Sequence, residues 1–154
     1  MTAHFKQSLS FGKLYEYIAV DKIFNNPPDL YHPPGKHAGF DFSTGGLAYE
    51  VKACRIAYRS GNFILDFLLN GKLDGIATTT ADMFIFFVVY PDDKYKVYII
   101  PTCVIKKVIR ENDCFIWTSK ASRRPYDSYF IPIHYFSEYL VDALCTTSTM
   151  ESEA

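Results

Sequence analysis

Gly39-Phe-Asp-Phe-Ser-Thr-Gly-Gly-Leu-Ala-Tyr-Glu-Val-Lys-Ala53 reads as two short strands around a Gly45-Gly46 turn. Bulky apolar residues alternate with other types along each arm, the period-2 pattern of a half-buried strand. Glycine supplies the positive φ that a two-residue hairpin loop requires, so the turn sets the register. Thr44 then opposes Leu47, Ser43 opposes Ala48, Phe42 opposes Tyr49, and Asp41 opposes Glu50. Directly opposed residues project from one face, which puts the two carboxylates side by side, and Lys52 shares that face. Phe40, Phe42, Tyr49 and Val51 point the other way, towards an expected core. Opposed carboxylates repel each other, and a divalent cation would reverse that cost. A bulge that shifted the pairing by one residue would send the acids to opposite faces instead.

The 154 residues suffice for one domain with a proper core. A hydrophobic content of 49% and an aromatic content of 17% exclude disorder as the main state. The formal net charge of -1 makes no bulk case for a nucleic-acid or membrane partner, although a local basic strip can hide in a neutral total. The longest apolar run, Met83 to Tyr90, is too short to span a bilayer, so no membrane partner is expected. The first residues, Met-Thr-Ala-His-Phe-Lys, carry no signal-peptide pattern. Cys54, Cys103, Cys114 and Cys145 form no Cys-x-x-Cys pair, which fits reduced core cysteines in a cytoplasmic protein better than zinc or disulfides.

Phe5 to Phe24 contains good helix formers and no proline. It predicts a helix over Phe11 to Phe24, starting as early as Phe5 and ended by Asn25-Asn-Pro-Pro28. Phe11, Leu14 and Ile18 make one stripe, while Tyr17, Val20 and Phe24 make the other side apolar, so cover on more than one side is expected. The wheel leaves Glu16 facing either solvent or a groove. Asn25 to Lys36 reads as a proline-rich loop at the edge of the site, in which His32 and His37 match no metal spacing. Lys36 in that loop is a candidate phosphate contact.

Beyond the hairpin, Arg55 and Arg59 precede a Ser60-Gly61 turn and could track a nucleic-acid backbone. Asn62 to Leu69 reads as a third strand with Phe63, Leu65 and Phe67 on one face, followed by an Asn70-Gly71 turn. Thr78, Thr79 and Thr80 can cap a short helix or donate hydrogen bonds to a phosphate. Met83 to Tyr90 and Tyr95 to Pro101 form a buried hairpin around Pro91-Asp92-Asp93, and a helix follows over Thr102 to Glu111. Phe115 to Trp117 reads as an edge strand, and Phe136 to Leu144 as a C-terminal helix. Lys120, Arg123 and Arg124 make the densest basic cluster, either a solvated loop or a phosphate-contacting arm.

Asp41 on the first strand and Glu50-Val51-Lys52 on the second, behind a Glu-bearing helix, resemble the PD-(D/E)xK nuclease superfamily. Gly12, one turn ahead of Glu16, resembles the first-helix acid of its archaeal Holliday-junction resolvase and related branches. The phrase from Asp41 to Asn62, followed by Thr78-Thr79-Thr80-Ala81-Asp82, is similar to small phage and virus endonuclease-like proteins. The likeness covers roughly residues 10 to 110, and Phe40 stands where the motif name has Pro.

The resemblance implies an α/β (α+β) restriction-endonuclease-like core, a central mixed β-sheet flanked by helices in the order α-β-β-β-α-β-β-α. One nuclease-like domain would cover 1–145, with a disordered tail over 146–154. It implies a Mg²⁺-dependent DNA endonuclease, with Mn²⁺ able to substitute, acting in the cytoplasm or, if viral, inside the host cell. Catalysis would rest on Asp41, Glu50, Lys52 and Glu16. The metal would be held by Asp41, Glu50, the Val51 backbone carbonyl and Glu16 through water. Junction-resolving and restriction-like branches commonly work as homodimers on DNA. The alternatives are a catalytically inactive nucleic-acid-binding or assembly module with the same fold, and an RNA-directed nuclease.

Overall fold

The run Met-Phe-Ile-Phe-Phe-Val-Val from Met83 to Val89 offers no polar face, so a strand built from it must be covered on both sides. The computed structural model describes residues 3–35, 39–119 and 124–146, with side chains over 11–35, 39–119 and 124–141. It covers this strand with a helix on one face and a second sheet on the other.

In chain order, α1 (Ala3–Ile18) continues as a π-helical turn over Ala19–Ile23 and leads to β1 (Phe42–Thr44) and β2 (Leu47–Cys54). The short helix α2 (Ala57–Ser60), β3 (Asn62–Leu69), β4 (Lys72–Leu73) and a 3-10 turn at Gly75–Ala77 follow. Then come β5 (Met83–Val89), β6 (Lys94–Pro101), α3 (Thr102–Glu111), β7 (Phe115–Thr118) and β8 (Tyr126–Pro132). A 3-10 segment over Ile133–Tyr139 leads into β9 (Leu140–Thr146). The architecture is α+β. A mixed sheet has the order β1-β2-β5-β6-β9, with β2 and β5 parallel and the other neighbours antiparallel. A second sheet, β4-β3-β8-β7, is antiparallel throughout. Among the described residues no helix is long and apolar enough to cross a membrane.

Alternation along β5 sets the layers. Ile85, Phe87 and Val89 join a core with Tyr15, Ile18, Ala19 and Val20 of the first helix. Phe84, Phe86 and Val88 join the other core with Phe63, Leu65, Ile105 and Ile131. Phe63 stacks on Phe86 with ring centroids 4.1 Å apart. The mixed sheet is thus the middle layer, between the first helix and the antiparallel sheet.

The β1–β2 register is the expected one, Phe42 to Tyr49, Ser43 to Ala48 and Thr44 to Leu47, and both turn glycines have positive φ (61° and 81°). The β5–β6 hairpin, the helix at Thr102–Glu111 and the edge strand at Phe115 also stand where the sequence puts them. Several expectations need correction. The third strand joins the second sheet rather than the central one, because α2 and the left-handed Gly61 (φ 69°) redirect the chain towards β8. The expected second helix of the order shrinks to the 3-10 turn at Gly75–Ala77, and Thr78 closes that turn rather than capping a helix start.

The C-terminal helix is replaced by the 3-10 segment and β9. Phe136, fully buried between the sheets, takes a non-helical φ of -115°, and the chain then pairs with β6. Thr146, placed in the expected tail, belongs to that strand, and 147–154 lie outside the described residues. Finally, among the described side chains of α1, Tyr15 and Ile18 are buried while Leu14 and Tyr17 are exposed, so the expected cover on more than one side is not seen there. Cys54 and Cys114 are half-buried at the margin of the core and Cys103 is exposed, while the Cys145 side chain lies outside the described residues.

Candidate active site

Strand β1 is only three residues long, so from Val51 onward the outer edge of β2 lacks a strand partner. Asp41 fills part of that gap. Its backbone N–H donates to the Tyr49 carbonyl at 2.9 Å, and its Oδ2 accepts the Val51 N–H at 2.7 Å. The ladder therefore stops at Phe42, one residue short of the expected Asp41–Glu50 pair, and the Asp41 side chain takes the place of the next strand bond. In a strand the N–H and C=O of one residue point to the same side, so the Val51 carbonyl also faces the Asp41 edge.

Two other aspartates hold the hairpin in this position. Asp29 accepts from the Thr44 hydroxyl and from the Gly45 N–H at 2.7 Å. Asp82 exchanges two bonds with Ala48, accepting its N–H at 2.8 Å and donating to its carbonyl at 2.8 Å. These acids serve the turn and the start of β5.

Glu16 faces the groove. Its side chain is 16% exposed, pairs with Lys13 Nζ at 2.9 Å, and hydrogen-bonds the Asp41 carboxyl. Glu50, 19% exposed, pairs with Lys52 Nζ at 3.2 Å, and Lys52 reaches out to 46% exposure. Burial pushes the Asp41 carboxyl up to about 7, reinforced by the charges of Glu50 and Glu16 and opposed by the Val51 hydrogen bond. Burial likewise raises Glu50, against the lowering effect of Lys52. A hydrogen bond between two carboxyl groups needs one proton, which the pair shares. Lys13, which the sequence reading passed over, is held charged by Glu16. Its i, i+3 spacing from Glu16 was the available signal.

Two hollows adjoin these acids. One of about 220 Å³ is lined by Lys13, Glu16, His32, Phe40 and Asp41, with His32 Nδ1 3.3 Å from the Asp41 carbonyl. Phe40 thus lies beside the acids and not in the core as expected. The other, about 460 Å³, lies between the two sheets, with Glu50 and Lys52 on one wall and Asp66, Asp74 and Thr78 to Thr80 on the other.

The threonines are partly committed to structure. Thr79 Oγ1 donates to the Gly39 carbonyl at 3.0 Å and accepts the Ala81 N–H at 3.1 Å, and the Thr80 N–H donates to Gly39 at 3.2 Å. Gly39 has to be glycine there, since a Cβ would stand 2.1 Å from Thr80 Oγ1.

Arg55 and Arg59 sit apart from the acids, beyond the far end of β2, roughly 16 Å along the strand from Glu50 to Arg55. The Arg55 guanidinium lies 4.1 Å from the centre of the Phe11 ring, and both arginines line a separate hollow of about 440 Å³. Arg124 is exposed, while Lys36, His37, Lys120 and Arg123 lie outside the described residues. Among the described residues no three His, Cys, Asp or Glu side chains are grouped around one point as they would be about an ion. Known family models, curated proteins and solved structures give no significant match to the chain.

Proposed function

We propose that this chain is a Mg²⁺-dependent DNA endonuclease of the PD-(D/E)xK type, whose mixed sheet and first helix form the restriction-endonuclease-like core. The observation that carries the reading is Asp41, whose carboxylate takes the Val51 N–H at the open edge of β2 and feels the charges of both Glu16 and Glu50, with Lys52 paired to Glu50. Recessed acids that repel one another are costly to a fold that has no use for them.

The donor types suit a hard divalent ion, since the carboxylates and the Val51 carbonyl are all oxygen ligands, and binding would have to draw them round one point. Burial raises the proton affinity of Asp41 and Glu50, and the neighbouring acids add to it, so a bound cation would favour their charged forms. Asp41, Glu50 and the Val51 carbonyl would hold the ion, which when bound supplies an acidified water and neutralises the scissile phosphate. Lys52, at the mouth, orients the attacking water and offsets charge on the phosphorane. Glu16 keeps Asp41 in place through their hydrogen bond and would contribute to holding the ion through water, with Lys13 balancing its charge. Arg55, Arg59, Arg124 and the Thr78 and Thr80 hydroxyls are the candidate phosphate contacts.

One observation favours a second reading, a binding or assembly module that keeps the acids without cutting: Glu16 and Glu50 each already hold a lysine. A gel assay separates the two. A four-way junction, a flap, a duplex and a single strand are incubated with and without Mg²⁺ or Mn²⁺, beside matched RNA. Metal-dependent products that vanish in Glu50→Ala, with the circular dichroism of the fold retained, support the nuclease. Undiminished cutting by Glu50→Ala removes the assignment, and no cutting of any substrate leaves the binding module.

A further inference from the structure

Of the acids proposed to cut, Glu50 is recessed between the two sheets, while Asp41 and Glu16 line the smaller hollow beside the first helix. Glu50 is 19% exposed and lies inside the 460 Å³ cleft, while its partner Lys52 reaches towards the mouth at 46% exposure. A hollow of about 460 Å³ has room for one stacked base or nucleotide but not for a duplex. The wall opposite Glu50 is fixed in place. A Cβ on Gly75 would stand 2.1 Å from the Asp66 carbonyl oxygen, so the segment after β4 packs directly on β3. Its other end is tied across the cleft by the Thr79 and Thr80 bonds to the Gly39 carbonyl. A wall fastened at both ends does not swing aside for a rigid cylinder.

The interior suits a nucleobase. Leu65, Ile76 and Phe84 give it an apolar floor, while Asp66, Asp74 and the threonines put hydrogen-bonding groups at the rim. Its volume lies in the ordinary range of small-ligand sites, ~300–1,000 Å³. Electrostatics agree, because Glu50, Asp66 and Asp74 outnumber Lys52 in the cleft, and this disfavours inserting a doubly charged stretch of backbone. A neutral base, with its own phosphate left at Lys52, avoids that penalty.

We propose that this cleft admits an unpaired nucleotide, so that the substrate class is single-stranded or locally melted DNA rather than continuous duplex. The proposal rests on the nuclease reading for its chemistry, and on the cleft alone for its ligand. The test uses the full chain and one labelled strand presented alone, as perfect duplex, and as duplex with a central unpaired bubble. Cleavage is followed with Mn²⁺, and fluorescence anisotropy with Glu50→Gln measures binding without cutting. The expected result is cutting of the single strand and the bubble at least tenfold faster than the duplex, with tenfold tighter binding of the single strand. Thr78→Trp, which crowds the exposed rim, should reduce both preferences. Equal cutting of duplex and single strand overturns the inference and leaves the nuclease standing. Tight single-strand binding with no cutting by the parent chain removes the nuclease and keeps the cleft's ligand. Equal or absent binding of both forms overturns the inference as well.

Discussion

Asp41 is where the folded chain carries its largest electrostatic cost, and the cost has a direction in pH. In the unfolded chain its carboxyl titrates near ~3.9, whereas in the fold it is raised to about 7 by burial and by Glu50 and Glu16. The folded state therefore holds a proton that the unfolded state has released. The adverse contribution is absent below about pH 4, grows as pH rises, and is complete above about pH 7, with an upper limit of about 4 kcal/mol. Asp41→Asn keeps an acceptor for the Val51 N–H and removes the ionisation. In metal-free buffer the variant should match the parent near pH 4 and exceed its stability by a few kcal/mol near pH 8. Urea unfolding across that range measures the difference, and parallel profiles for the two chains would show that Asp41 ionises normally. Sequence reading found Asp41, Glu50 and Lys52 because hairpin register is a counting problem. It left the direction of Glu16 open because the helix is apolar on several sides, and only the docking of Tyr15 and Ile18 on β5 turns Glu16 to the groove.

At the scale of elements, the segment between β4 and β5 shapes the cleft, and its geometry depends on one glycine. Gly75 has a φ of 52° and faces the Asp66 carbonyl so closely that a methyl group would stand 2.1 Å from the oxygen. Gly71, in the β3–β4 turn, has a φ of 77° but open space around it. Gly71→Ala should therefore cost only the backbone strain of a left-handed alanine, about 1 kcal/mol. Gly75→Ala adds a steric clash with main chain and should cost at least about 3 kcal/mol, while widening the cleft. Equilibrium denaturation of the pair checks the ordering, and equal losses would mean that the wall yields. Turns of this kind were legible, since Gly45-Gly46 and Asn70-Gly71 announce themselves by composition. The fate of Phe136 to Leu144 was not. Phe136, Leu140, Ala143 and Leu144 fit helical spacing, yet the unpaired edge of β6 and the pocket around Phe136 favour a strand. A local period says nothing about an edge supplied by residues forty positions earlier, and tertiary pairing prevails.

For the whole molecule, the decisive feature is that one strand belongs to both cores. The apolar run of β5 announced burial on two faces, but which elements would cover it depended on long-range pairings, above all β3 with β8, that no local pattern encodes. Because alternate residues of β5 serve the helix side and the sheet side, neither layer can lose its packing without exposing the same strand. The helix layer and the antiparallel sheet should therefore unfold together. Phe63 tests the coupling from the sheet side: it is 1% exposed, stacks on Phe86, and meets Tyr98 and Phe136 at centroid distances of 5.4 and 5.9 Å. Phe63→Ala should cost about 3–5 kcal/mol by lost burial and cavity formation. The single tryptophan, Trp117 on β7, reports the antiparallel sheet, while helical circular dichroism reports mainly α1 and α3. In the parent chain the two signals should give one denaturation midpoint, and in Phe63→Ala both should shift by the same amount. A helical signal that keeps its midpoint while tryptophan fluorescence shifts would mean that β5 does not couple the two cores.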